Sequence, residues 1–363
     1  MFVPVLMLTV ACGSETPPEA IPEPPEEAEV ESPLCEVWQV VDSGISASFR
    51  GLSVVGDGEV VWVSGTGGTW GRTVDRGATW TSGVVPDAED LDFRDVDAFS
   101  QDIAYLMSAG PGELSRIYKT VDGGGTWELQ LTNPGPEGFF DGMAFWGERH
   151  GLVYGDPVDG RFMVLATDDG GSSWNSVPSE GMPPALDGEA GFAASGTGLA
   201  VMTGGLAWFG TGGPEARVFR SRDYGQSWQV ATTPMLAGEG SMGIFSVAFS
   251  DPSHGIAVGG DYTQPEGTER HAACTTDGGV TWTLIESSSP AGYRSAVAFV
   301  PDSQGQIVMA AGTSGSDLSL DGGESWQTAG AENTNCVAFG PSLCTGWAAG
   351  PEGFIAKLVP ATP

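Results

Sequence analysis

The sequence predicts an all-β fold, a seven-bladed β-propeller whose blades each contain four strands. Three observations predict it. An octapeptide with the pattern Ser/Thr-x-Asp-x-Gly-x-Ser/Thr-Trp occurs six times along the 363 residues. A similar set of strands surrounds each copy, and the last unit lacks a fourth strand that a segment near the N-terminus could supply. A four-stranded unit that repeats every forty to fifty residues, roughly, is typical of propellers.

The octapeptide has the composition of a tight turn between two strands. Its aspartate can accept hydrogen bonds from backbone N–H groups a few residues later, and its glycine can adopt a positive φ. Its tryptophan begins the next strand with a large apolar side chain. The six aspartates, which are spaced 44 to 54 residues apart, are Asp75, Asp122, Asp169, Asp223, Asp277 and Asp321. Because six equivalent copies suit architecture better than a single active site, we interpret them as structural.

The strands around the octapeptides follow a recurrent order. The first strand ends in a pair such as Ala98-Phe99, and the second has a Gly-x-Ala-x-Gly pattern, as in residues 255–259 (GIAVG). The last unit, residues 335–360, contains three strands and no octapeptide. Residues 37–41 (VWQVV) resemble the strands that follow the octapeptides, so we expect them to complete the last blade and leave no open edge. The propeller is thereby assigned to residues 35–363.

The first 34 residues are predicted to contain an export signal and, after it, a tether. Residues 2–10 form an apolar run that is too short to cross a bilayer and has the length of a signal-peptide core. The run ends in a sequence that resembles a bacterial lipobox, so residues 1–12 are predicted to be a lipoprotein signal peptide and Cys12 the lipidated residue. An ordinary signal peptide is the alternative. Residues 13–34 are rich in Pro and Glu and are expected to form an extended acidic tether.

The net charge of −33 limits the possible partners. With 47 acidic and 14 basic residues, the chain would be repelled by nucleic acid and by an anionic membrane surface. Contact with a membrane is therefore expected only through the lipid anchor. The protein is expected to be a monomer, and to lie lipid-anchored in the bacterial cell envelope or to be secreted.

Four cysteines follow the signal peptide: Cys35, Cys274, Cys336 and Cys344. Their spacing matches no zinc pattern, and we expect no metal site. Export permits disulfides, and Cys336 and Cys344 flank a predicted hairpin, so we predict that these two are paired. No nucleotide-binding glycine pattern follows a strand and opens a helix, and no cofactor is expected.

The octapeptide resembles the Asp-box, or BNR repeat, of sialidases and other propellers, and each copy is called an Asp-box below. Together with second strands such as residues 346–350 (GWAAG), it makes the chain similar to the photosystem II stability/assembly factor family of seven-bladed propellers, and more distantly to the sialidase superfamily. The first resemblance implies a non-catalytic propeller that acts as a binding or assembly scaffold. The second implies a glycoside hydrolase acting on an acidic sugar.

The sialidase motif Phe/Tyr-Arg-Ile/Leu-Pro is incomplete in three segments that begin like it. Residues 49–52, 93–96 and 293–296 each begin with an aromatic residue and arginine, but none ends in proline. No Tyr-Glu nucleophile pair can be assigned either. We therefore favour the non-catalytic function and keep the glycosidase as the alternative.

Three arginines define the candidate binding site. Arg50, Arg94 and Arg294 each follow an aromatic residue, and each lies five positions before the apolar end of a first strand. Side chains alternate along a strand with a period of two, so equal register is expected to point all three the same way at the channel mouth. There they would bind an anion on a partner protein or an acidic glycan. Pairing with neighbouring carboxylates is the alternative.

Acidic residues supply the remaining candidates. A hydrolase needs two carboxylates roughly 5 to 9.5 Å apart across a pocket. No motif selects among the five that are considered, which are Asp141, Asp156, Asp159, Glu189 and Asp261. Asp156 and Asp261 are kept as ligand-binding candidates, and no catalytic residue is assigned.

Overall fold

The computed structural model describes residues 35–286 and 288–360. The predicted signal peptide, the lipidation of Cys12 and the acidic tether lie outside the described residues and stay predictions. Among the described residues, no helix is long and apolar enough to cross a membrane.

The described residues form seven four-stranded antiparallel sheets, as the repeat predicts. Blades 1 to 4, each given from its innermost to its outermost strand, contain β2 (Phe49–Val55), β3 (Val60–Gly65), β4 (Thr69–Thr73) and β5 (Thr81–Val84); β6 (Phe93–Ala98), β7 (Ala104–Ser108), β8 (Arg116–Thr120) and β9 (Glu128–Thr132); β10 (Phe140–Phe145), β11 (Gly151–Val158), β12 (Arg161–Thr167) and β13 (Asn175–Ser176); and β14 (Leu199–Met202), β15 (Leu206–Gly210), β16 (Arg217–Ser221) and β17 (Gln229–Thr232).

Blades 5 and 6 have the same order, and blade 7 takes its outermost strand from the start of the described chain. These blades contain β18 (Met242–Phe249), β19 (Gly255–Asp261), β20 (Ala272–Thr275) and β21 (Thr283–Leu284); β22 (Ala296–Phe299), β23 (Val308–Gly312), β24 (Gly315–Ser319) and β25 (Gln327–Gly330); and β26 (Cys336–Phe339), β27 (Gly346–Ala349), β28 (Ile355–Pro360) and β1 (Cys35–Val40). Short 3-10 helices lie at Gly112–Leu114, Ser179–Gly181, Pro301–Ser303, Leu343–Thr345 and Pro351–Gly353.

The ring closes in the way that the sequence predicts. The first strands of neighbouring blades contact one another around the ring, and β26 contacts β2. Strand β1 pairs antiparallel with β28, with Trp38 opposite Leu358 and Val40 opposite Ala356. Blade 7 is therefore completed by the N-terminal strand, and its third strand is not left with an open edge.

The predicted Cys336–Cys344 disulfide is wrong. Cys344 is bonded to Cys35, so the disulfide fastens the start of β1 to the turn between β26 and β27. Cys336 is a buried free thiol, and it lies opposite Ala349 at the end of the hairpin remote from that turn. About three residues of extended strand, or roughly 10 Å, separate it from the turn, which is too far for a disulfide.

The Asp-box aspartates make the hydrogen bonds of a tight turn. In the first box, Asp75 Oδ1 accepts hydrogen bonds from Thr73 Oγ1 and from the Thr79 N–H, both at 2.8 Å, and Thr79 Oγ1 donates to Asp75 Oδ2 at 2.6 Å. The other five boxes repeat this arrangement. The backbone and side-chain hydrogen bonds from Thr281 lower the pKa of Asp277 to about 2.

Side chains close the channel-facing edges of the innermost strands. Such an edge has no strand partner, and its N–H groups need acceptors. Side-chain oxygens of the preceding blade accept these hydrogen bonds. Ser53 Oγ accepts from the Ala98 N–H at 3.1 Å, and Ser246 Oγ accepts from the Val297 N–H at 3.0 Å. The carboxylates of Asp95 and Asp97 accept from the Met143 and Phe145 N–H groups at 2.8 and 3.0 Å. Burial raises the pKa of Asp97 to about 7.

Candidate binding site at the channel mouth

Residues 191–198, which connect blade 3 to blade 4, lie across the channel and are called the plug. Their hydrogen bonds reach the inner parts of five blades, and a segment with such partners must cross the centre of the ring. The bonds join the Gly191 N–H to Asp156 Oδ1 (2.9 Å), Arg94 Nη1 to the Ala193 carbonyl (3.0 Å), Arg50 Nη1 to the Ala194 carbonyl (3.0 Å), Ser195 Oγ to the Ser295 carbonyl (2.6 Å) and Thr197 Oγ1 to Ser246 Oγ (2.6 Å).

Two glycines allow the plug to lie this close to the channel wall. A Cβ atom at Gly191 would collide with Asp141 Oδ2, and one at Gly196 would collide with Asp95 Oδ1. Gly196 also has a φ of +73°, which favours glycine. The plug therefore forms a fixed floor beneath the channel mouth.

Arg50 and Arg94 meet at the mouth, as their register predicts. Each is the second residue of an inner strand, and each is the residue at which the pairing with the next strand shifts register. Arg94 Nε is paired with Asp92 at 2.8 Å. Arg50, in contrast, has no ion pair with any carboxylate among the described residues. Burial and the neighbouring charge of Arg94 lower the pKa of Arg50.

Arg294 does not join them, and the prediction of a three-arginine arc is wrong. Its side chain is 1% exposed, and its Nε donates to Asp317 Oδ2 at 2.8 Å. Asp317 lies in the third strand of the same blade, four residues before the Asp-box residue Asp321. At the equivalent positions of blades 1 and 2 stand Gly71 and Tyr118, which offer no carboxylate.

Asp156 lines the mouth next to the buried Asp141. Asp141 is 2% exposed, and its Oδ2 has no hydrogen-bond partner among the described residues. Burial and the charge of Asp156 raise the pKa of Asp141 well above its usual range. Because Asp141 is buried, Asp156 is the carboxylate that the mouth presents to a ligand, whereas a glycosidase presents a pair of them.

The other acidic candidates serve the fold. Asp261 accepts hydrogen bonds from the N–H and hydroxyl of Thr263 at 2.9 and 2.7 Å, and so shapes the turn after β19. Glu189 is buried and accepts a hydrogen bond from Arg217 Nε at 2.8 Å. Asp159 lies exposed in the turn between β11 and β12. None of these three lines the pocket that contains Arg50.

Aromatic side chains form one wall of the mouth, and the sequence interpretation missed them. Phe192 of the plug stacks on Phe245 with ring centroids 3.8 Å apart, and Tyr293 meets Phe245 edge-on at 4.8 Å. Tyr262 lies at the rim and is 53% exposed. Only the plug brings Phe192 here, so no strand register could have indicated the cluster.

These residues enclose a cavity of about 420 Å³. Blades 1 and 2 supply the two guanidinium groups, blade 3 supplies Asp156, aromatic side chains line another part of the cavity, and the plug is the floor. We call this cavity the mouth pocket. Guanidinium groups bind carboxylates through parallel hydrogen bonds, and aromatic rings provide apolar contact area. The mouth pocket can therefore bind a group that combines a negative charge with an apolar part.

The Asp-boxes lie on the opposite face of the propeller. They join the third and fourth strands of their blades, whereas Arg50 and Arg94 lie at the beginning of first strands. Among residues 35–286 and 288–360, no cluster of His, Cys, Asp and Glu could hold a metal ion.

Neither a protein-family model nor a curated protein sequence matches the chain. Solved structures do. One is YCF48 from Cyanidioschyzon merolae, with a TM-score of 0.61, 19% identity and coverage of 89% of this chain and 99% of that one. Another is YCF48 bound to a D1 peptide, with a TM-score of 0.58, 18% identity and coverage of 89% and 94%.

A glycoside hydrolase has a similar fold. The GH74 enzyme from Niastella koreensis matches with a TM-score of 0.60 and 16% identity, and the match covers 88% of this chain and 53% of that one. Identities this low establish the fold alone. By its blades, its closure and these likenesses, the chain is a seven-bladed propeller similar to the YCF48 structures.

Proposed function

We propose that this chain is an exported, non-catalytic propeller that binds a carboxylate-bearing segment of a partner protein in the mouth pocket. The observation that carries the proposal is Arg50. Its Nη1 is held by the plug carbonyl of Ala194, it lines an open cavity, and it lacks a carboxylate partner among the described residues. In a chain with 47 acidic residues, a half-buried guanidinium without a counter-ion is well suited to an external anion.

The aromatic wall favours a protein segment over a simple anion. Phe192, Phe245 and Tyr262 offer apolar surface within the same cavity as Arg50, and interfaces with peptides are rich in aromatic residues and arginine. The YCF48 structure that is described as bound to a D1 peptide is a propeller of similar fold. It supports the general idea that such a propeller can hold a peptide.

Export is part of the proposal. The lipobox-like sequence before Cys12 and the acidic tether favour a lipid-anchored protein of the cell envelope. The Cys35–Cys344 disulfide adds support, because disulfides persist in oxidising compartments and are rare in the cytosol.

The glycosidase alternative is less well supported. The GH74 likeness concerns the fold. Asp141 and Asp156 are the only carboxyl groups that line the described mouth pocket, and Asp141 is 2% exposed. One accessible carboxylate does not supply the pair that a glycosidase places on either side of the glycosidic bond.

Peptide binding can be tested with an array of nonapeptides of randomised sequence. Each member ends in aspartate with a free C-terminal carboxylate, and a matched member ends in asparagine amide. We expect wild-type protein to bind acidic members and to ignore their neutral counterparts. Arg50→Gln should weaken binding about 10- to 100-fold, as expected for a charged hydrogen-bonding partner.

Arg149→Gln is the matched control. Arg149 is an arginine on the opposite face, in the turn before β11, and its guanidinium donates to the Asp168 carbonyl. This variant should bind like wild type. Equal binding of acidic and neutral peptides, or full binding by Arg50→Gln, would contradict the proposal. Retention of sialyllactose in place of peptides would point to a glycan ligand, and its cleavage to the glycosidase.

A further inference from the structure

A second cavity lies on the same face, outward from the mouth pocket over blade 3. It is lined by residues 133–138, by the turn between β11 and β12, and by residues 176–178 and Met182, and its volume is about 490 Å³. Phe162, Met163 and Val164 form its apolar floor. We call it the outer groove.

The outer groove exists because blade 3 has an incomplete outer strand. Strand β12 extends over Arg161–Thr167, but β13 contains two residues and pairs only with Leu165 and Ala166. The first three residues of β12 consequently have no outer strand beside them among the described residues. The gap is bordered by the chain before β10 on one side and by the 3-10 helix Ser179–Gly181 on the other.

Two polar groups are directed at this apolar gap. Asn133 is 5% exposed, and its Nδ2 has no hydrogen-bond partner among the described residues, although its Oδ1 accepts from the Gly135 N–H. A buried amide donor without an acceptor is costly unless a ligand supplies one. Arg161 donates one hydrogen bond to the Met182 carbonyl and, within the described chain, has no carboxylate partner.

The outer groove lies next to the mouth pocket. Asp156 lines the mouth pocket and Val158, two residues further along β11, lines the outer groove. Likewise, Gly138 lines the groove and its neighbour Phe139 lines the mouth. Two residues of a strand span about 7 Å, so an extended ligand needs only a few residues to reach from one cavity into the other.

We infer that the outer groove is a second subsite for the same ligand, which is an extended peptide with an apolar side chain a few residues before its acidic end. The inference rests on the proposed function. The acidic end of the peptide lies at Arg50, and its apolar side chain packs on Met163 and Phe162. A carbonyl of the peptide accepts a hydrogen bond from Asn133 Nδ2. A second acidic residue of the peptide meets Arg161. The guanidinium groups of Arg50 and Arg161, which have no carboxylate partner among the described residues, match two acidic groups of the peptide. The apolar floor, together with Asp156 and Glu137 in the lining of the two cavities, selects a peptide that is not acidic throughout.

The test is a leucine scan of a defined probe. The host is a fluorescein-labelled Gly-Ser nonapeptide that ends in aspartate with a free carboxylate, and one leucine is placed at each of the six positions before the terminal pair. Affinities are measured by fluorescence polarisation. We expect leucine at one or two adjacent positions to raise the affinity about 10-fold or more, as for a buried apolar side chain.

Three variants identify the subsite. Met163→Glu should remove the gain from leucine but leave the affinity of the leucine-free host within about two-fold, and Arg50→Gln should weaken every peptide. Leu129→Glu, which changes an exposed residue of β9 outside both cavities, should behave like wild type. Thermal unfolding checks that each protein is folded. If Met163→Glu is unstable, Arg161→Gln is used in its place. Arg161→Gln should reduce the binding of a probe that has a second aspartate beside the leucine.

The two proposals fail separately. If the host binds in an Arg50-dependent manner and no leucine position improves it, or if Met163→Glu retains the gain, the outer groove is not a subsite and the mouth pocket stands. If neither the host nor any leucine peptide binds the wild-type protein, the proposed function and this inference are both wrong.

Discussion

Removing the Cys35–Cys344 disulfide should destabilise the propeller without opening the ring. The disulfide joins the first described residue to the last blade across a sequence separation of 309 residues. Strand β1 also pairs with β28 over most of its length, and Trp38 Nε1 donates to Ser316 Oγ at 3.2 Å. These contacts remain when the sulfur atoms are lost, so the closed fold is expected to persist in the reduced protein.

The size of the effect follows from loop entropy. A covalent loop of about 310 residues restricts the unfolded chain by roughly 5 to 6 kcal/mol in the chain-entropy model, and measured values usually fall below the model. We therefore expect Cys35→Ser to reduce the free energy of unfolding by about 3 to 6 kcal/mol. At about 2.1 cal/mol/K per residue over some 325 residues, this corresponds to a decrease in Tm of about 4 to 9 °C.

The assay is calorimetry of wild type, Cys35→Ser and Cys344→Ser, each with and without dithiothreitol. Wild type should lose stability in reductant and come to match the two variants, which should themselves be insensitive to it. Cys274→Ser removes a half-buried free thiol and serves as the control; its response to reductant should equal that of wild type. Equal Tm values for oxidised wild type and Cys35→Ser would refute the reasoning.

Three further predictions concern ionisable groups. Burial raises the pKa of Asp97 to about 7, so the folded protein binds a proton at this carboxyl group more tightly than the unfolded chain does. The folded state therefore loses stability as pH rises from about 4 to 7. Asp97→Asn should show a smaller decrease in Tm than wild type between pH 5 and pH 8. Arg294→Met should cost about 3 to 5 kcal/mol, because it leaves Asp317 buried without its counter-ion, and an added Asp317→Leu should restore most of this in urea unfolding. The lowered pKa of Asp277 stabilises the fold above pH 4 and this contribution disappears as pH falls towards 2, so Asp277→Ala should lower Tm at pH 7 but hardly at pH 2.

The fold was predictable because its signals are local and repeated. Each Asp-box fixes a turn through bonds within seven residues, as from Thr73 to Thr79, so six copies place six hairpins without any long-range information. The N-terminal strand was identified by its likeness to the strands that follow the boxes. The disulfide was not predicted correctly, because the pairing of Cys35 with Cys344 depends on which end of β1 lies beside the turn after β26. That placement is determined only by the closure of the ring.

The site was predictable where register alone decides it. Arg50 and Arg94 share position and strand geometry and meet at the mouth, but Arg294 shares only the position. The Arg294 side chain is instead paired with Asp317, which is the only acidic residue found four positions before an Asp-box aspartate. That acid is visible in the sequence, and comparison of the six boxes at this position could have indicated the ion pair. The plug gave a weaker signal, an interval of 54 residues between Asp169 and Asp223, which shows an insertion but not its path.

The plug would prepare Arg50 to bind an anion without the three-arginine arc that was expected. A guanidinium that is free to move loses side-chain entropy when it binds an anion, but the carbonyls of Ala193 and Ala194 already hold Arg94 and Arg50 by one nitrogen each. Arg94 is also neutralised by Asp92, so the charge that stays available is that of Arg50. Its burial removes part of its hydration, as its lowered pKa indicates. An arriving carboxylate would replace that lost hydration at a group already oriented for it, and the floor beneath would keep the ligand at the mouth instead of in the channel.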